Sequence, residues 1–230
     1  MSVKDQFTSY IHSLQDHICS GLEAMDGSAT FAEDKWERPG GGGGRTRVIA
    51  DGAVFEKGGV NTSIVHGALP PAMQQAFGVK DSDFFACGLS LVIHPLNPHV
   101  PTVHANWRFF ELYDKEGNRV DGWFGGGADL TPYYLVPDDA VHFHSTLKNA
   151  IDSFGADLYP KYKKHCDEYF SNLHRDGEMR GIGGVFYDYL RPADDDDAQR
   201  LLAFQMANGD AFLHAYLPIV DRNKEKPYTE

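Results

Sequence analysis

The chain reads as a single α+β domain in which helices pack on an antiparallel sheet. Three observations predict this. The first two dozen residues carry apolar side chains at helical spacing, and residues 83–95 and 102–112 alternate apolar and polar side chains with period two. The second half then runs helix, helix, strand, helix. At 230 residues the chain is long enough for a sizeable core, and no internal repeat or linker divides it.

The opening helix is predicted over 3–26, with Phe7, Ile11, Leu14, Ile18, Leu22 and Met25 at steps of three and four, and Ser2 with Asp5 as a capping box. Residues 46–65 have β character, broken at Gly58–Gly59. In 83–95, Phe85, Cys87, Leu89, Leu91 and Ile93 share one face, while Ala86, Gly88, Ser90, Val92 and His94 share the other. Pro95, Pro98 and Pro101 end that strand. The next strand puts Val103, Ala105, Trp107 and Phe109 on one face and His104, Asn106, Arg108 and Phe110 on the other. Residues 125–132, Gly125–Gly127 followed by Ala-Asp-Leu-Thr-Pro, read as a turn-rich connection. Pro137–Asp139 opens a helix to residue 153, and a second helix covers 156–174 with Leu158, Tyr162, Cys166, Phe170 and Leu173 inward. Gly183–Gly184 precede a strand to Leu190, and Asp194–Asp197 start a last helix with Leu201, Gln205, Asn208, Phe212 and Tyr216 on its inner face.

Acidic residues outnumber basic ones 33 to 21, for a net charge of −12. Such a surface repels nucleic acid and anionic lipid, so an anionic ligand requires a local cluster of cations. Cys19, Cys87 and Cys166 are widely spaced and odd in number, which fits buried thiols in a reducing compartment. No apolar run approaches the length of a membrane span and the N-terminus lacks a signal-peptide layout, so a cytoplasmic location without integral membrane association is expected.

Chemistry is expected on the polar face of the 83–112 hairpin, where Ser90, His94, His104, Asn106 and Arg108 stand opposite the small residues Ala86 and Gly88. A strand face that merely meets water usually carries Lys, Glu and Thr instead. His94, His104, His144 and His174 offer either a divalent-metal set or hydrogen-bonded and acid–base groups. The run from Trp36 to Arg47 contains five consecutive glycines but no Gly-Lys-Ser/Thr, so it serves close backbone approach, not phosphate binding. Arg45 and Arg47 just beyond are candidates for carboxylate contact, or are strand-edge arginines. Asp129 either makes an Asx turn or accepts hydrogen bonds from N–H donors of a ligand.

In this order the motifs resemble those of the oxygen-dependent coproporphyrinogen III oxidases. The matching stretches are WERPGGGGGRTRVIADGAVFEKGGVNTSIVHG (36–67), GLSLVIHPLNPHVPTVHANWRFFE (88–111), GWFGGGADLTPYY (122–134), YPKYKKHCDEYFSNLHRDGEMRGIGGVFYDYL (159–190) and AYLPIVDRNKEKPYTE (215–230). Gly122–Trp123 stands where the family usually has Trp-Trp. The resemblance implies a large antiparallel sheet flanked on both sides by helices, a homodimer, and a substrate cleft over the sheet. It implies oxidative decarboxylation of two propionates of coproporphyrinogen III to vinyls, giving protoporphyrinogen IX in heme biosynthesis. Molecular oxygen is then the co-substrate, with no organic cofactor and a divalent metal in some members.

Residue by residue, His104 matches the family's proton donor, and Ser90, Asn106, Trp107 and Arg108 match its substrate contacts. Asp129 matches the acid that holds pyrrole N–H groups, so His104, Asp129 and Arg108 form the expected catalytic set. His94, His104, His144 and His174 match proposed metal positions. The family continues past the motif in which this chain stops, so the C-terminal part of the family domain, with its Gly-Gly-Arg substrate contact, is expected to be absent. A tetrapyrrole-binding remnant of the enzyme and a histidine-metal hydrolase are the competing readings.

Overall fold

The computed structural model describes residues 1–229; Glu230, the last residue of the final motif, lies outside the described residues. α1 (Val3–Asp26) starts at Ser2, whose hydroxyl accepts from the Asp5 amide while the Asp5 carboxylate accepts in return, as the sequence predicts. Gly27 in the left-handed conformation ends it. Its stripe of Phe7, Ile11, Leu14, Ile18 and Leu22 is buried against the sheet.

The sheet has seven antiparallel strands: β1 (Ala32–Glu37), β2 (Gly42–Ala50), β3 (Phe55–Ala68), β4 (Asp83–Pro95), β5 (Thr102–Tyr113), β6 (Arg119–Thr131) and, beyond β6 at the edge, β9 (Gly183–Leu190). Strands β1 to β6 each pair with the next in sequence. Between β6 and β9 the chain forms α3 (Pro137–Asp152), α4 (Leu158–Tyr169) and a small hairpin of β7 (Ser171–Asn172) and β8 (Glu178–Met179). α5 (Asp195–Asn223) begins at the Asp194 cap and crosses behind the sheet beside α1. No helix of the described residues is long and apolar enough to cross a membrane.

The alternation read from the sequence sorts the two faces. Cys87, Leu89, Leu91, Val103, Trp107 and Phe109 are buried beneath α1 and α5. The helices are shared unequally: the short α2 (Pro71–Phe77) packs on the opposite face, where Phe77 meets Phe110 and Trp123, and the end of α4 reaches that face only at the β9 edge, where Tyr169 stacks on Phe186. The remainder of that face is a cleft.

Three expectations change. Gly58–Gly59 do not break a strand; β3 runs through them, and Gly58 lets the Ile93 side chain come within 2.7 Å of where a Cβ would be. The break falls at residues 51–54, where buried Asp26 accepts from the Val54 and Phe55 amides at 2.9 Å. Residues 125–132 are mostly strand, because Gly125 and Gly127 lie opposite Arg108 and Asn106 and leave space above the sheet for those side chains. The second helix stops at Tyr169: Asn172 accepts from the His174 amide, and Asp176 and Gly177 take positive φ, which folds 171–179 into the hairpin. Leu173, expected inward, is therefore 85% exposed.

Candidate functional site

The cleft floor is a set of cross-strand rows. Asn61, Ser90, Asn106, Gly127 and Phe186 follow one another across β3, β4, β5, β6 and β9 in a single register line. The adjoining line runs Val92, His104, Asp129, Gly184, and on the other side lies Gly88, Arg108, Gly125. Small residues on β6 and β9 and long polar ones on β5 leave a cavity of about 360 Å³, closed at one end by Tyr169, Phe170 and Arg180. From behind, Gln205 on α5 donates to the carbonyls of Arg108 (3.1 Å) and Gly125 (2.9 Å) and fixes the spacing of β5 and β6.

At the closed end, Asp129 is only 4% exposed. Arg180 clamps it: Nη2 donates to Oδ1 at 2.6 Å and Oδ2 at 2.7 Å, and Nε to Oδ2 at 3.2 Å. The guanidinium lies 3.9 Å from the centre of the Phe170 ring, so stacking holds its plane. His104 Nδ1 is 3.7 Å from Asp129 Oδ2, buried, and without a hydrogen-bond partner. Burial pushes the His104 imidazole below the usual histidine range, the nearby Arg180 and His94 charges add to this, and Asp129 opposes it. The shift favours the neutral imidazole near pH 7.

Of the expected site residues, Ser90, His104, Asn106, Arg108 and Asp129 come together in the cleft. Arg108 pairs with Asp188 at 2.9 Å and donates to Asn106 Oδ1 at 2.8 Å. Trp107 does not join them. Its side chain points to the other face, 1% exposed and edge-on to Phe212, as strand alternation requires. Only its backbone is within reach of a cleft ligand. Arg45 and Arg47 also lie on the α1 face, each paired with Asp16 at 2.8 Å, and are not carboxylate contacts of the cleft.

The histidine set does not converge. His94 lies on the cleft face, one register step beyond the Val92–His104 pair and opposite Lys57. On α3, His144 has both ring nitrogens engaged, Nε2 with the Ile182 carbonyl (3.1 Å) and Nδ1 with the Tyr159 hydroxyl (2.9 Å). His174 is exposed in the turn after α4, because that helix ends early. Among the described residues no group of three or more His, Cys, Asp or Glu is placed to hold a metal ion. The residues present therefore do not fit the four-histidine centre within one chain. The three cysteines are buried; burial raises the Cys19 thiol to about 11 and those of Cys87 and Cys166 to about 12, so none is a nucleophile near neutral pH.

Sequence reasoning missed Arg180, Asn61 and Asp188. Asp188 was accessible from the alternation of β9, which sets Gly184, Phe186 and Asp188 on the cleft side. Arg180 was not, since it reaches Asp129 from outside any regular element of the sheet. With a buried, arginine-held carboxylate beside a neutral histidine at the base of this cleft, and with residues 6–230 matching the sequence model of coproporphyrinogen III oxidase, the chain belongs to that family of porphyrin-biosynthesis oxidoreductases.

Proposed function

We propose that the protein is the oxygen-dependent enzyme: it converts two propionates of coproporphyrinogen III to vinyls, with no organic cofactor, as a cytoplasmic homodimer. The observation that carries the reading is the clamped Asp129 beside His104. An ionised carboxylate offers about four acceptor positions. Arg180 faces one side of Asp129, so the remaining positions receive inward-pointing pyrrole N–H groups of a ligand lying on the floor. Holding these N–H groups raises the electron density of the pyrrole, which reacts with oxygen. For each propionate, one O₂ and one proton are consumed; the side chain loses a hydrogen from the carbon next to the ring and its carboxylate leaves as CO₂. The two electrons released reduce O₂ to hydrogen peroxide, and a vinyl remains.

His104 supplies or relays the proton. Substrate carboxylates brought to the cleft favour its charged form, so it gains a proton as the ligand binds. Ser90, Asn106 and Arg108 orient the ring, and Arg108 exchanges part of its contact with Asp188 for a propionate. The cleft is less cationic than the sequence suggests, since Arg108 and Arg180 both face carboxylate partners.

The test is incubation of the purified chain with coproporphyrinogen III, with and without oxygen, followed by oxidation and porphyrin separation. Oxygen-dependent loss of two carboxylates supports the enzyme. Binding without turnover supports a remnant that holds tetrapyrroles. Asp129→Asn should lower turnover by about 100-fold or more, the scale of losing one preorganised electrostatic contact; near-wild-type vinyl production by that variant removes the role given to Asp129.

A further inference from the structure

Asp188 faces the cleft through a local irregularity of the sheet. On β6 a single residue, Gly125, separates the Phe124–Leu190 pair from the Gly126–Tyr187 pair, whereas on β9 two residues, Asp188 and Tyr189, fill the same step. This is a β-bulge, a device that re-aims a side chain. Tyr189 takes a φ of +53°, a left-handed conformation that a bulky residue rarely adopts. Its ring rests against Trp123, 5.2 Å between centroids, and the Arg191 guanidinium, itself paired with Asp121, lies 5.2 Å from it. The Tyr189 amide donates to Asp188 Oδ1 at 2.9 Å, which leaves Oδ2 for Arg108, also at 2.9 Å.

Arg108 stands on β5, two strands from Asp188, and reaches it over Gly125. That crossing requires glycine: a Cβ at 125 would lie 2.5 Å from Asp188 Oδ1 and 2.8 Å from Arg108 Nε. The second anchor of the guanidinium is the Asn106 oxygen, 2.8 Å from Nη1. The pair is open to water, with Arg108 35% and Asp188 24% exposed at their side chains, and an ion pair of that exposure is weak and exchangeable. A free anion from solution, such as acetate, would have to displace a carboxylate that the chain holds permanently beside the guanidinium at high effective concentration. A propionate on a ring already lying on the cleft floor is tethered in the same way and competes on equal terms. We propose that Asp188 is a carboxylate stand-in: it occupies Arg108 against small free anions and yields it to a carboxylate presented by a bound macrocycle. The inference rests on the cleft being the tetrapyrrole site of the reaction proposed above. Asp188 is then a specificity-determining residue that acts through Arg108, and its charge weakens substrate binding in return for that selection. A mere structural pin between β5 and β9 would do the reverse, since its removal would loosen the floor and weaken binding.

The test is a binding cycle on the purified chain. Coproporphyrin III, the oxidised tetracarboxylate, is titrated against wild type, Asp188→Asn, Arg108→Gln and the double variant, following the Soret absorbance. Asp188→Asn should bind it about fivefold more tightly than wild type, the scale of one partly exposed ion pair. In the Arg108→Gln background the same change should gain less than about twofold. Replacing chloride by acetate at constant ionic strength should remove most of the gain in Asp188→Asn and leave wild type unchanged. Circular dichroism checks the fold, and Asp188→Ser repeats the charge removal if the asparagine variant misfolds. Unchanged or weaker binding by Asp188→Asn overturns the proposal, because that is the response of a structural pin. An equal gain without Arg108 also overturns it, as the signature of general relief of negative charge, and so does an Asp188→Asn variant that acetate leaves untouched. The cycle needs no turnover. A chain that passes it but forms no vinyl groups in the oxygen assay keeps the stand-in and loses the reaction, whereas an active chain that fails it loses only the stand-in.

Discussion

Removing the guanidinium from Arg180 leaves Asp129, 4% exposed, without its principal counter-charge. Breaking a buried ion pair from one side costs roughly 3–5 kcal/mol. Arg180 is 36% exposed at its side chain, and water enters the space it vacates, so about 2–3 kcal/mol is expected for Arg180→Ala. At about 2–4 °C per kcal/mol for a chain of this size, the melting temperature falls by about 4–12 °C. Asp129→Asn should cost only about 1 kcal/mol, because the arginine it releases already reaches solvent. The double variant should then be no worse than Arg180→Ala alone, and the cycle should be non-additive by at least about 1 kcal/mol. Urea unfolding of the four proteins at pH 7, with melting temperatures alongside, measures this. Additivity within about 0.5 kcal/mol would refute the coupling and with it the view that Arg180 is the partner that stabilises Asp129 in the cleft.

Two further outcomes follow from other parts of the molecule. His12, His104 and His144 are all held below the usual histidine range, chiefly by burial. The unfolded chain, with histidines near 6.5, therefore binds more protons, and stability should fall as pH drops from about 6.5 towards 5, before carboxylates contribute. His104→Gln should make the melting temperature less steep over that window; a wild-type profile that is flat or rises on acidification would contradict the assignment. Gly184→Ala places a methyl against the Ala128 carbonyl and 3.0 Å from the Asp129 Cα, backbone atoms that cannot turn aside. It should destabilise by about 3 kcal/mol or more and depress turnover through Asp129, read by thermal melts and the oxygen assay; a stable, active variant would mean β6 and β9 are not in this register.

The sequence carried the fold where period and chemistry agreed. The α1 stripe, the two faces of β4 and β5 and the inner face of α5 were legible because each depends on local spacing alone. The reading failed at glycines. Gly125–Gly127 look like a turn to any local rule, yet they lie in an inner strand because Arg108 and Asn106 across the ladder need the space. Helix α4 was drawn too long since Phe170 and Leu173 continue its apolar spacing, while Asn172, Asp176 and Gly177 carried the stop signal. In the site, strand alternation brought out Ser90, His104, Asn106 and Arg108 and also placed Trp107 on the wrong side for its expected role. The partner of Asp129 stayed hidden because the contact spans 51 residues and no periodicity connects its two ends.

That separation matters for how the chain is made. Strands β1 to β6 can zip each to its predecessor as they leave the ribosome, since every pairing among them is between sequence neighbours. β9 alone must wait for two helices and the hairpin before it can close against β6, and such non-local closure is the slow part of folding. Asp129 is synthesised with the early strands and Arg180 with the late segment. A partly folded species in which the segment carrying Arg180 has not docked leaves Asp129 without its clamp. The Arg180–Asp129 contact therefore forms together with the late segment whose last strand completes the sheet.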